Sequence, residues 1–235
     1  MKRFFVWLFL ASALALRPAW AEEPLSYAEQ LIRSGEYALA EIALEKQLAQ
    51  HPVEAARLLS YVYLYEGDLD AAQHWLERAR EAGLGDAAYY WQKGRIESAR
   101  ANWPAAWAAL RSAVALSPKP EHALLWGAVG LAQGDVDRAL LGLGKAERSG
   151  SGPSAVFLQG LTLLADRPDE ALRLLRKAQV EMDSENPLKP QVIYWQARAL
   201  ERMGQVKEAR STLRFLLRTY PGYAPARDAL NRLGP

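Results

Sequence analysis

Apolar and polar residues alternate along this chain with the period of a helix, and the pattern itself recurs. The clearest unit runs from Trp103 to Pro118, WPAAWAALRSAVALSP. Ala106, Leu110 and Ala113 fall three or four residues apart, so they share one helix face. The two alanines let a neighbouring helix come close, and Leu110 fills the space beside them. Pro118 ends the unit, because proline does not continue a helix and biases the residue before it toward extended backbone. The same order (a large residue, two residues, Ala, three residues, Leu) recurs in four other places. These are Tyr37, Ala40, Leu44; Leu69, Ala72, Leu76; Val136, Ala139, Leu143; and Val206, Ala209, Leu213. Ala171 and Leu175 form a further copy led by Pro168.

Each copy has a second helical stretch upstream and a turn between. Tyr27, Ala28, Leu31 and Ile32 precede Gly35; Leu59 and Tyr63 precede Gly67; Trp126 and Gly127 precede Gly134; Trp195 and Ala197 precede Gly204. Tyr90 and Gly94 precede Ala101, which stands where other copies carry a turn glycine. Gly160 precedes Asp166-Arg167-Pro168, a turn one residue short. No stretch of useful length alternates with the period of a strand. Successive alanines from Ala40 to Ala209 lie 32, 34, 33, 32 and 38 residues apart. A period near 34, with Ala, a large apolar residue four positions on and a closing proline, resembles the tetratricopeptide-repeat family over nearly all of the chain after its first residues.

The resemblance implies an all-α, right-handed α-solenoid of six helix-turn-helix repeats. They are expected at about 25–52, 53–83, 87–118, 120–149, 153–180 and 191–221. Residues 225–233, with Ala226, Ala229, Leu230 and Leu233 on one side, read as a capping helix. The two prolines and mixed charge of 181–190 (EMDSENPLKP) mark a linker loop able to act as a hinge. A fold of this kind is a binding scaffold with many clients and does not by itself name a function.

Residues 1–21 are read separately. Lys2 and Arg3, the apolar run from Phe4 to Leu16, and Ala19-Trp20-Ala21 make the three parts of a secretory signal peptide. The apolar run is shorter than the roughly 20 residues that span a bilayer. An uncleaved anchor is the alternative, with Arg17 close behind the run. The chain has no cysteine, which excludes an acylated N-terminal cysteine, thiol chemistry, zinc–thiolate sites and disulfides. The expected location is the periplasm of a Gram-negative-type cell, with secretion or anchoring as alternatives. Setting aside Lys2, Arg3 and Arg17 leaves 26 basic residues against 27 acidic ones. No concentrated basic character remains to point to nucleic acid.

Catalytic chemistry has little support. His51, His74 and His122 lie in different repeats without a second metal ligand at helical spacing, and all three are expected at the surface. Gly142-Leu143-Gly144-Lys145 falls short of a phosphate loop, because Ala139 stands where that motif needs glycine. Its glycines are expected to let helices approach closely. No acid, base and nucleophile set converges, so no enzyme activity, metal or cofactor is expected.

What remains is a surface. In tetratricopeptide arrays the leading helices line the concave face, where ligand peptides lie. By that resemblance the face holds Arg57, Tyr61 and Tyr65 in the second repeat, Trp91 and Arg95 in the third, and Tyr194, Arg198 and Arg202 in the sixth. Between them lie Leu124, Ala128 and Leu131, then Phe157, Leu161 and Leu164. Tyr, Trp and Arg are frequent at binding hot spots, and an arginine fork grips a carboxylate. The competing reading packs Tyr61, Trp91 and Phe157 between repeats. The lysine and asparagine pattern of chaperone-binding members is absent, so that specificity is not carried over. The expectation is a non-catalytic exported adaptor that takes a peptide or helix of a protein partner and helps assemble an envelope machine for secretion, pili, the outer membrane or polysaccharide export. A glycan- or peptidoglycan-binding scaffold is the alternative, motivated by Trp75, Trp91, Trp103, Trp107, Trp126 and Trp195.

Overall fold

The structure, a computed structural model, describes residues 27–234. The expected signal segment lies outside the described residues. Among the described residues every regular element is a helix. They form successive antiparallel pairs: α1 (Tyr27–Ser34) with α2 (Tyr37–Glu45), α3 (Pro52–Glu66) with α4 (Leu69–Glu81), α5 (Asp86–Ala99) with α6 (Trp103–Leu116) and α7 (Pro120–Gln133) with α8 (Val136–Ala146). Then come α9 (Gly152–Leu163) with α10 (Pro168–Glu181), α11 (Lys189–Arg202) with α12 (Val206–Thr219), and the single helix α13 (Ala224–Leu233). Each helix packs on the next, and leading helices also touch across repeats, α3 on α5 and α7 on α9. The result is an α-solenoid.

The periodic alanines and leucines explain the pairing. Ala40, Ala72, Ala106, Ala139, Ala171 and Ala209 are all fully buried, and so are the leucines four positions on, Leu213 being the most exposed at 1%. Each leading helix meets this pair with a small residue. At Gly94, Gly127 and Gly160 an added Cβ would lie 2.5, 2.6 and 2.9 Å from the Cγ of Leu110, Leu143 and Leu175. Twelve positions before their alanines, the other leading helices carry Ala28, Ser60 and Ala197 in the same register. Gly160 precedes Ala171 by only eleven, which is the short turn seen in the sequence. The buried clusters share flanking residues, Trp75 touching the first two and Leu161 the next two, so the core runs along the solenoid.

The turns within repeats need left-handed backbone at one residue. Gly67 and Gly134 supply it at φ 86° and 73°, each followed by an aspartate whose carboxylate accepts from the next helix, Asp68 from Ala71 N at 2.9 Å and Asp135 from Arg138 N at 3.0 Å. In the third repeat Ala101 takes this conformation at φ 57°.

Two local expectations change. The loop after α10 spans 182–188, since Glu181 ends α10 and Lys189 and Pro190 begin α11, where proline fits the first turn. Gly142 does permit close approach, a Cβ there lying 2.5 Å from Gly127 Cα. Gly144 does not, its nearest neighbour being the Arg148 guanidinium at 3.5 Å. The connector after α8 is a π-turn over Glu147–Ser151. It is tied down by Glu147, which accepts from Gln159 Nε2 at 2.9 Å and Lys177 Nζ at 2.8 Å.

Candidate partner-binding face

The side chains expected on the leading-helix face of the second and third repeats do come together. Arg95, on α5, is their centre and is only 3% exposed. Its guanidinium carbon lies 4.7 Å from the Tyr61 ring centre, 5.4 Å from Tyr65 and 6.0 Å from Trp91. Arg95 Nη2 donates to the Tyr65 hydroxyl at 3.2 Å, and Nη1 donates to Gln92 Oε1 at 3.2 Å. Gln92 Nε2 in turn donates to Ser60 Oγ at 3.1 Å, so the polar chain crosses between α5 and α3. Among the described residues no carboxylate pairs with Arg95. Ring quadrupoles stabilise its charge instead, an attraction of about 0.5–2 kcal/mol for a well-placed ring.

The cluster extends in both directions. Tyr65 stacks on Tyr37 at 5.7 Å and 5° between planes. Trp91 stacks on His122, at the start of α7, at 4.3 Å and 25°. One ladder of rings and a cation therefore links four repeats: Tyr37, Tyr65, Arg95 with Tyr61, Trp91, His122. Arg57 stands beside it, 5.7 Å from the Tyr61 ring and 3.6 Å from Glu54.

His122 corrects the expectation of a surface histidine: it is 5% exposed. His51 and His74 are exposed. His122 Nδ1 donates to the Ser117 carbonyl at 3.0 Å. Burial lowers its pKa below the ordinary histidine value, and the Ser117 bond opposes that shift without cancelling it. Sequence reasoning also missed Tyr37 and Gln92. Tyr37 is the large residue that leads the first copy of the pattern, and its contact with Tyr65 crosses repeats.

The sixth-repeat residues form a separate group at the joint with the cap. Tyr194 lies 5.9 Å from Tyr223, and Arg198 pairs with Glu201 at 3.5 Å. Arg232 of the cap also holds Glu201, lowering that carboxylate's pKa. Arg202 is exposed. Between the two groups Leu124, Phe157 and Leu164 are buried, so the middle of the face is apolar packing.

None of the six described tryptophans is exposed. Trp107 packs on Trp126 at 5.3 Å, with the Arg138 guanidinium 4.6 Å from its ring. Among the described residues no three His, Asp or Glu side chains are placed to hold a metal, and no helix is long and apolar enough to cross a membrane.

No family model matches this chain, and no curated protein does. Solved structures do. Pseudomonas aeruginosa PilF superposes with TM-score 0.70 at 17% identity, covering 99% of this chain and 100% of its own. PilW, described as a widely conserved type IV pilus biogenesis factor, gives TM-score 0.73 at 20% identity over 86% of this chain and 94% of its own. YrrB, described as a tetratricopeptide-repeat protein with an unusual peptide-binding site, gives 0.61 at 18% identity over 87% and 97%. The chain has the tetratricopeptide-repeat fold.

Proposed function

We propose that this protein is a non-catalytic, exported scaffold that holds a segment of a protein partner against its leading-helix face and helps assemble a machine of the cell envelope. The observation that carries the reading is Arg95 and its rings, a cation without a carboxylate on the face where solenoids of this fold have their leading helices. Arginine and aromatic side chains concentrate binding energy, and a guanidinium prefers an acidic partner to a neutral one. The partner segment is therefore expected to be acidic. The likeness to PilF and PilW favours pilus assembly among envelope machines, and the signal-like first residues support the periplasm as the place. The six tryptophans present no exposed row for sugar rings, which favours a protein partner over a glycan.

The test is crosslinked capture from native envelopes with wild-type protein and with Arg95→Met, which keeps the side-chain bulk and removes the charge. Circular dichroism would verify that the variant keeps its helices. One protein captured by wild type, with at least a tenfold loss in a folded variant, upholds the assignment. Equal capture by both overturns it.

A further inference from the structure

Charge is segregated along the solenoid. Residues 27–83, the first two repeats, carry ten acidic and five basic side chains. Residues 206–234 carry six basic and two acidic ones. On α12, Lys207, Arg210, Arg214 and Arg218 fall at intervals of three, four and four residues, so they form one stripe along the helix. Lys207, Arg214 and Arg218 are exposed, and among the described residues no carboxylate pairs with any of the four. Arg210 Nε is buried without a hydrogen-bond partner.

The two ends also share exposed apolar side chains. Among the described residues eight large hydrophobic side chains are exposed, and five of them lie in the first and sixth repeats. Tyr27, Leu39 and Ile42 are 64%, 49% and 50% exposed in the first repeat, where Glu45 is exposed beside them. Val206 and Phe215 are 40% and 45% exposed on α12.

Within the solenoid such faces meet. Arg138, the residue before the packing alanine of α8, lies over Trp107, the residue after the packing alanine of α6. In the first repeat the residue before the packing alanine is Leu39, and in the last repeat the residue after it is Arg210. Among the described residues, neither position has the counterpart that Arg138 and Trp107 provide for each other. The last is basic, and the first stands on α2, whose charged residues, Glu41 and Glu45, are both acidic.

We infer that the α12 face of one molecule docks on the acidic, apolar α2 face of a second copy, head to tail. The contact is heterologous, so each dimer keeps one free end of each kind and longer chains can grow. It uses the ends of the solenoid and leaves the Arg95 face available, so it stands independently of the proposed function.

The test is analytical ultracentrifugation of the purified protein over a range of concentrations at low and high salt. Three samples are compared with wild type: Leu39→Lys with Glu45→Lys, Arg214→Glu with Arg218→Glu, and an equimolar mixture of the two. All four positions are exposed, and circular dichroism checks folding. Wild type is expected to exceed the monomer mass increasingly with concentration at low salt. It should return toward monomer at about 0.5 M salt, where the screening length falls to about 4 Å. Each double variant should stay monomeric, and the mixture should re-form mixed species because one unaltered face of each kind survives. A wild type that stays monomeric at low salt overturns the inference, as do variants that assemble like wild type. A closed dimer insensitive to both pairs of substitutions would also overturn it, since it requires a different, self-complementary face.

Discussion

The leading helix of the third repeat, α5, buries Gln92, Arg95, Glu97 and Ser98, whereas that of the fourth, α7, buries His122 and otherwise only apolar residues and glycine. The two helices are neighbours in one solenoid and share the same alanine–leucine register. On α5 each buried polar group has a named partner: Gln92 with Ser60 and Arg95, Ser98 with the Gly94 carbonyl, Glu97 with Asn102 and Arg100. On α7 the fit is one of shape, Gly127 and Gly130 against Leu143, Ala139 and Gly142. A buried polar network loses stability when a partner is removed, while a close-packed one loses it when an atom is added. The third repeat has thereby given up apolar burial for a buried, ring-lined polar network, and the fourth has given up polar chemistry for close contact.

The sharpest way to break this contrast is Gly142→Val. The first added carbon would already lie 2.5 Å from the Cα and N of Gly127, which is backbone and has nowhere to move. A loss of about 3 kcal/mol in denaturant unfolding is expected. Gly144→Ala, two residues on in the same helix, should instead gain about 1 kcal/mol through helix propensity. If both changes destabilise equally, close packing is not what distinguishes the fourth repeat.

Ala101→Gly acts on the third repeat. Its φ of 57° strains a residue with a Cβ, and glycine relieves that strain. A gain of about 1 kcal/mol is expected by urea titration, without change in partner capture. A loss would mean that the turn is held by something other than local backbone preference.

The smallest effect lies at the boundary, where His122 of the fourth repeat stacks on Trp91 of the third. Its folded-state pKa is lowered by burial. The unfolded chain therefore takes up this proton first as pH falls. The stability from neutral His122 is fully present above its unfolded pKa of about 6.5, and declines below it toward the lower folded value. His122→Phe should flatten that part of the stability–pH curve. An unchanged slope would assign it to other groups.

How much of this was legible beforehand depended on whether a contact lies within the repeat or across it. The alanine and leucine columns read directly, because burial within a helical pair imposes its own period on the sequence. Ala101 as the odd turn residue and the short turn before Pro168 were visible for the same reason. Arg95 was found as a face residue, but its depth was not. Its burial depends on Tyr61 and Tyr65, about 30 residues away, and no local pattern encodes those rings. His122 was misread because it opens a leading helix just after Lys119 and Glu121, while the ring that covers it is Trp91, about 30 residues back. Tyr194, Arg198 and Arg202 share residue types with the first cluster and not its setting, since Glu201 and Tyr223 already engage two of them.

The small residues of the leading helices have a mechanical consequence. Glycine occupies that position in the third, fourth and fifth repeats, and Ala or Ser in the first, second and sixth. Helix axes can draw nearer in the middle of the array than at its ends, like a spring wound tighter at its centre. In an array of nearest-neighbour contacts, tension applied to the termini would peel the outer repeats first and reach the glycine-lined middle last.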